Sequence, residues 1–199
     1  MRVYHITSAT IATIVALVGC SRFDSARGKE STASRATKAA SAAARPAKPD
    51  TAIRMTAAGY GPLRIGMTVV NAAVALNSPT PSTVGLDTAC AYVPIANAPA
   101  GMRVMVTGGT VARIEIDSSS VATGLGARVG DSEARIRELY GSRVTLQPHK
   151  YLPNGRYLIV DPIPASDSGL KLVFETDGSR VTKYRAGRMP EVEWVEGCA

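Results

Sequence analysis

Two glycine-centred turns constrain this chain more than any other feature. Thr107-Gly108-Gly109-Thr110 and Thr176-Asp177-Gly178-Ser179 each lie between short runs of alternating apolar residues. Tight two-residue hairpins need positive φ at their centre, which Gly-Gly and Asp-Gly supply at little cost. The sequence therefore predicts one hairpin pairing 103–106 with 111–116 and another pairing 171–175 with 180–184. Further strands are predicted over 90–95, 143–147 and 157–161, with Pro153-Asn154-Gly155 as another turn. No helical pattern of crossover length separates successive strands, which argues for antiparallel pairing and against a parallel βαβ sheet.

Ahead of each strand group stands a similar lead-in. Arg64-Ile65-Gly66-Met67-Thr68 runs into Val69-Val70-Asn71-Ala72-Ala73-Val74-Ala75-Leu76, and Arg128-Val129-Gly130-Asp131-Ser132 runs into Glu133-Ala134-Arg135-Ile136-Arg137-Glu138-Leu139-Tyr140. Thr68 and Ser132 are suited to N-cap a helix by accepting a first-turn N–H, a contact worth about 1 kcal/mol. Ala72 and Leu76, and then Ile136, Leu139 and Tyr140, give each helix one apolar stripe. The expected fold class is α+β: two tandem repeats, 56–120 and 121–199, each a helix packed on an antiparallel β-meander.

The first fifty-odd residues have a different character. Arg2 and His5 precede an apolar run from Ile6 to Val18, too short to span roughly 30 Å of hydrocarbon as a helix. Residues 1–19 read as a signal peptide. Leu17-Val18-Gly19-Cys20 resembles a bacterial lipobox, which implies lipidation of Cys20 with fatty acyl chains such as palmitate and cleavage before it. The alternative is an ordinary secretory signal with Cys20 incidental. Two or three buried acyl chains, at about 0.8 kcal/mol per CH2, make a stable anchor. Ser21 takes the place of the Asp that commonly retains lipoproteins at the inner membrane, so the resemblance implies an outer-membrane lipoprotein facing the periplasm.

Residues 20–55 then form a tether rich in Ala, Ser, Thr, Lys and Arg, with Phe23 its one large side chain in 21–50. Such a composition buries too little to offset ordering entropy. More than half of the net charge of +7 lies on 21–50, so the domain itself is only weakly basic. That placement disfavours nucleic acid as the partner; the tether is either a merely solvated spacer or a segment that meets anionic lipid or cell-wall polymer.

After lipidation two cysteines remain, Cys90 and Cys198. An even pair in an oxidising compartment is most simply a disulfide. Two buried thiols or a metal site are the alternatives, though one mature histidine leaves a poor ligand set for zinc.

The Ile65-Gly66-Met67-Thr68 lead-in followed by antiparallel strands resembles the SmpA/OmlA family of small outer-membrane lipoproteins, which supply a subunit of the β-barrel assembly machinery. The tandem arrangement resembles β-lactamase inhibitor protein, and the tail Glu196-Gly197-Cys198 is similar to that of uncharacterised proteobacterial lipoproteins. These likenesses imply a binding protein. They bring no catalytic residue to any position of this chain.

The search for chemistry is short. His149 is the one histidine of the mature chain, so a nucleophile–His–acid relay needs it. No nucleophile elbow, zinc helix or phosphate loop is present, and neither a cofactor nor a metal is indicated. Glu191, Glu193 and Glu196 alternate with Val192 and Trp194, which predicts a last strand with its charged face in solvent. His149, Tyr151, Tyr157, Tyr184, Arg185 and Arg188 form the candidate protein-binding set, because aromatic-plus-Arg groups anchor interfaces. The expected function is a non-enzymatic scaffold or accessory module in the cell envelope, held by its lipid anchor and meeting a protein partner. An inhibitor of a periplasmic or host hydrolase, and then a hydrolase, are the alternatives.

Overall fold

Strand pairing rather than helix packing sets the architecture. The computed structural model of the protein describes residues 52–87, 89–162 and 169–198. The expected signal peptide 1–19, the lipidation site Cys20 and nearly all of the tether 20–55 lie outside them. No helix among the described residues is long and apolar enough to cross a membrane. Three two-residue strands come first, β1 (Met55–Thr56), β2 (Gly59–Tyr60) and β3 (Leu63–Arg64), which pair as a small antiparallel sheet. Helix α1 (Val69–Ala75) is followed by β4 (Cys90–Val93), β5 (Met102–Thr107) and β6 (Thr110–Ile116). Helix α2 (Glu133–Tyr140) precedes β7 (Val144–Pro148), β8 (Arg156–Val160), β9 (Leu170–Thr176) and β10 (Val181–Arg188).

The hairpins and caps form where local chemistry places them. Gly108 and Gly109 take φ of 56° and 78° in the β5–β6 turn, the left-handed conformation that such a turn requires. Thr68 accepts from the Asn71 N–H at 3.3 Å and Ser132 from the Arg135 N–H at 3.2 Å. Each lead-in also docks on a hairpin. Gly66 N–H donates to the Val111 carbonyl at 2.7 Å, and Gly130 N–H to that of Val181 at 2.8 Å.

The expected pair of helix-on-meander repeats is overturned. The described residues are mostly β, with a three-stranded and a seven-stranded antiparallel sheet and two short α-helices of 7 and 8 residues. The large sheet has the order β4-β5-β6-β10-β9-β8-β7. Its seam is the antiparallel pairing of β6 with β10, from Tyr184↔Ile116 to Gly187↔Arg113, which fuses what would have been two meanders. A Cβ at Gly187 would stand 2.6 Å from the Ala112 carbonyl oxygen, so the seam closes only around glycine. Helices this short are marginal on their own and persist by packing.

The sheet has two unlike faces. Val104, Ile114, Ile116, Leu158, Phe174 and Tyr184 point to one face, where Leu63, Ala72, Ile136 and Tyr140 join them in the main core. Each large aliphatic or aromatic side chain there contributes about 1.5–3 kcal/mol by leaving water. Arg113, Glu115, Glu175, Arg185, Tyr157 and Val173 point the other way. Residues 189–198, a C-terminal strap, pack against β6, β9 and β10 on that face.

The strap corrects a second expectation. It is not a strand: Glu191–Glu193 is a 3-10 turn, with Glu191 buried and Val192 fully so, while Glu193 and Glu196 stay in solvent as expected. Val192 is the apolar plug of a small second cluster with Tyr157, Ile159 and Val173. Cys198 closes the strap onto β4 through a disulfide with Cys90, across a sequence separation of 108.

Two outcomes follow for stability. Replacing both cysteines by serine should cost about 2–5 kcal/mol by urea denaturation, from the lost restraint on a long loop. Gly187→Ala should cost more than about 2 kcal/mol, because backbone must move to admit its methyl group. A loss below about 0.5 kcal/mol at Gly187 would show that the β6–β10 seam is not tightly closed.

Candidate functional site

The strap-covered face holds an unusual density of buried charge. Strand alternation puts Arg113 and Glu115 of β6 on this face, opposite Ile114 and Ile116. Across the seam, β10 contributes Lys183 and Arg185, and β9 contributes Glu175, which pairs with Lys183 in register. Arg113 and Arg185 are each 3 % exposed. Charges so placed are tolerable only with full compensation.

That compensation is visible atom by atom. Arg185 donates to Glu175 Oε2 at 2.8 Å and, through Nε, to the Val192 carbonyl at 2.6 Å. Arg113 donates to Glu115 Oε1 at 2.8 Å, the Tyr92 hydroxyl at 2.9 Å and the Glu191 carbonyl at 3.0 Å, and reaches the Trp194 carbonyl as well. Arg188 donates to Glu191 Oε1 at 3.0 Å and to the Thr107 hydroxyl at 2.6 Å. Thr107 in turn donates to the same Glu191 oxygen at 2.6 Å. The other, Oε2, is buried without a hydrogen-bond partner among the described residues. Three arginines on the sheet thus grip four groups of the strap.

His149 is tied into the same network. Its Nδ1 accepts the Tyr151 and Leu152 backbone N–H groups at 3.0 and 3.1 Å. Nε2 therefore carries the proton and donates to Glu175 Oε1 at 2.8 Å. The buried ring stacks on Tyr157 with centroids 4.7 Å apart. Both nitrogens are occupied, which leaves none to take a proton from a substrate. The loop after His149 clamps the strap from outside, with Lys150 Nζ 2.8 Å from Glu196 Oε1 and the Tyr151 hydroxyl on the same oxygen.

The six residues of the candidate binding set do not share a surface. His149, Tyr157 and Arg185 meet under the strap, with the Arg185 guanidinium 5.6 Å from the Tyr157 ring centroid. Arg188 is half-buried at the strap's start. Tyr184 lies wholly buried on the opposite face, donating to the Val121 carbonyl at 3.0 Å and packing 5.4 Å from Phe174. Tyr151, at 57 % exposure, is the one member open to solvent. The sequence does not single out Tyr92, Arg113, Glu115 or Glu175, and it places Glu191 in solvent. Opposite charges two residues apart in a strand, as at Arg113 and Glu115, are the signal that could have marked a covered polar face.

Openings lie elsewhere. A cleft of about 520 Å3 runs between α1 and β4, and another of about 380 Å3 adjoins the end of β4. Among the described residues no group of three or more His, Cys, Asp or Glu is placed to hold a metal ion.

Fold and site define an antiparallel β-sheet domain with helices on one face and a disulfide-tied strap over charge on the other. No family model and no curated protein sequence matches the chain. A crystal structure of the uncharacterized protein yfeY from Escherichia coli is 15 % identical, covering 68 % of this chain and 99 % of that one, at a TM-score of 0.37. A likeness that weak carries no argument about fold or function.

Acid should loosen this face. Burial pushes the Glu115 and Glu175 carboxyls upward, but their partners outweigh it and hold both below the usual carboxylate range. Arg113, Tyr92 and Arg103 act on Glu115, and His149, Lys183 and Arg185 act on Glu175. A carboxylate with a depressed folded pKa adds stability above its unfolded value of about 4.3, and that stability disappears as pH falls through the folded value. Urea midpoints should drop below about pH 4, and drop less in Glu175→Gln than in the wild type. Breaking the buried pair with Arg185→Ala should cost about 3–5 kcal/mol, whereas Lys150→Ala on the exposed clamp should leave the urea midpoint close to that of the wild type.

Proposed function

We propose that this protein is an exported lipoprotein, anchored through Cys20 to the periplasmic side of the outer membrane, and that its domain binds a protein partner in the cell envelope without catalysing a reaction. The observation behind this reading is the fate of the titratable groups. Glu115, Glu175, His149, Arg113 and Arg185 are spent on one another and on strap carbonyls, under a roof fixed by a disulfide. The described surface also presents large apolar side chains, among them Val70, Val74, Val84, Leu146, Tyr151 and Leu152. The Cys90–Cys198 disulfide accords with an oxidising compartment.

The clamped loop favours a second reading. Tyr151 and Leu152 project on a short segment braced by His149 and Glu196, which suits a rigid plug for a hydrolase cleft.

In-cell cross-linking followed by extraction in mild detergent tests the main reading. The wild-type protein should fractionate with membranes and carry a specific envelope protein, whereas Cys20→Ala should be released from the membrane and lose most of it. Equal membrane association of Cys20→Ala would overturn the anchor. Recovery of nothing above that control would overturn the binding module.

A further inference from the structure

We infer that the free edge of β4 is the docking site, and that its occupant is an extended aliphatic segment of the partner protein, added to the large sheet as an antiparallel strand. The inference rests on the reading of the domain as a protein-binding module and gives that module a location and a ligand chemistry.

The edge is open. β4 is the outermost strand of the large sheet and pairs with β5 alone, in unbroken register from Cys90↔Thr107 to Val93↔Val104. Every second residue of an antiparallel edge strand turns its N–H and C=O outward, and among the described residues those outward groups of β4 meet no other backbone. Natural sheet edges are usually blunted by charge, proline or a bulge. Cys90-Ala91-Tyr92-Val93 contains none of these, and Pro94 comes only after the strand. The opposite edge of the sheet, β7, ends in Pro148, which lacks an N–H, and leads into the clamped His149 loop.

The clefts give the edge its side-chain selectivity. Ala91 and Val93 form one side of the 520 Å3 cleft, Val69 and Val70 of α1 another, and the loop holding Pro81, Thr83 and Leu86 a third, so the lining is mainly aliphatic with hydroxyls among it. The second cleft meets the strand at Tyr92 and Val93. Side chains of an added strand alternate between faces, so every second residue would enter the cleft beside α1. A cleft of this volume and lining suits branched aliphatic side chains. Asp87 is the ionisable residue in the lining, so a basic residue flanking the aliphatic positions complements it.

The edge is also held ready. Cys90 is tied to the strap, and the Tyr92 hydroxyl is fixed between Arg113 and Glu115. A pre-organised strand loses little freedom on binding. Val70, 53 % exposed, lines the cleft, and Val84, 92 % exposed, lies in the loop whose Thr83 and Leu86 line it.

The test uses the full-length protein in detergent and a phage-displayed library of random linear peptides. Enriched peptides should share alternating Val, Ile or Leu with a nearby Lys or Arg. Synthetic copies should bind about tenfold more weakly when alternate backbone nitrogens are methylated in the register that faces β4, and little changed in the other register. Val70→Glu should weaken them about as much while leaving the thermal midpoint unchanged, since Val70 is exposed; Val84→Glu provides a second rim variant. Peptides indifferent to methylation and to both substitutions would overturn the inference. So would a selection without enrichment, concentration-dependent self-association abolished by Val70→Glu, or binding of free fatty acid in place of peptide. If the selection fails while in-cell cross-linking still recovers a partner, the edge is wrong and the binding module stands. If cross-linking also recovers nothing, the module itself fails.

Discussion

Two arginines buried on a β-sheet face set the terms for the rest of this molecule. A guanidinium withdrawn from water without compensation costs several kcal/mol, so Arg113 and Arg185 need acceptors on every side. Glu115 and Glu175 supply part of the need from the sheet itself. The remainder comes from main-chain carbonyls of Glu191, Val192 and Trp194, which lie far away in sequence from Arg113. The strap is therefore what allows the sheet to carry charge on that face. The dependence runs in both directions, because Val192 and, in part, Val195 are what the strap packs into the apolar cluster on that face. The Cys90–Cys198 disulfide closes the arrangement by keeping the carbonyls near the arginines even when individual hydrogen bonds break.

The helix face follows a simpler logic. There the large side chains interlock around Phe174 and Tyr184, and both helices are too short to exist apart from that packing. The two faces meet at the β6–β10 seam. Ala186 and Gly187 bring β10 close enough to β6 that the side chains of Tyr184 and Arg185 are delivered to opposite faces of one continuous sheet. One residue thus seals the core while its neighbour orders the strap.

Much of the local structure was legible in the residues. Gly108-Gly109 announces a two-residue hairpin because few other pairs tolerate the required backbone, while Asp177-Gly178 announces a hairpin that turns through residues 177–180 with positive φ at Gly178. Thr68 and Ser132 announce helix starts because their hydroxyls can satisfy a first-turn N–H. The pairing of β6 with β10 was not legible, since nothing in Val111–Ile116 or Val181–Arg188 distinguishes a strand that joins two meanders from one that ends its own. Strands of two residues, as in β1 to β3, carry no periodicity to read. The tail misled for a physical reason: alternating glutamate with Val192 and Trp194 is the usual mark of a solvent-facing strand, yet Glu191 turns inward onto Arg188 and Thr107 while Glu193 and Glu196 stay exposed. The same reversal hides His149, Tyr157 and Arg185 from the solvent.

Such a fold separates rigidity from recognition. The strap side is cross-linked by a disulfide, ion pairs and main-chain hydrogen bonds, and its chemistry is turned inward. The β4 side ends in unpaired backbone beside aliphatic clefts, with α1 contributing valines that no part of the described chain covers. The disulfide is where the two meet, because Cys90 is both the end of the strap's tether and the first residue of the edge strand. Holding the strap down therefore also holds the edge in place. A surface made rigid in this way can select an extended peptide by the pattern of its side chains, since little of the interaction need be spent on ordering the strand that receives it.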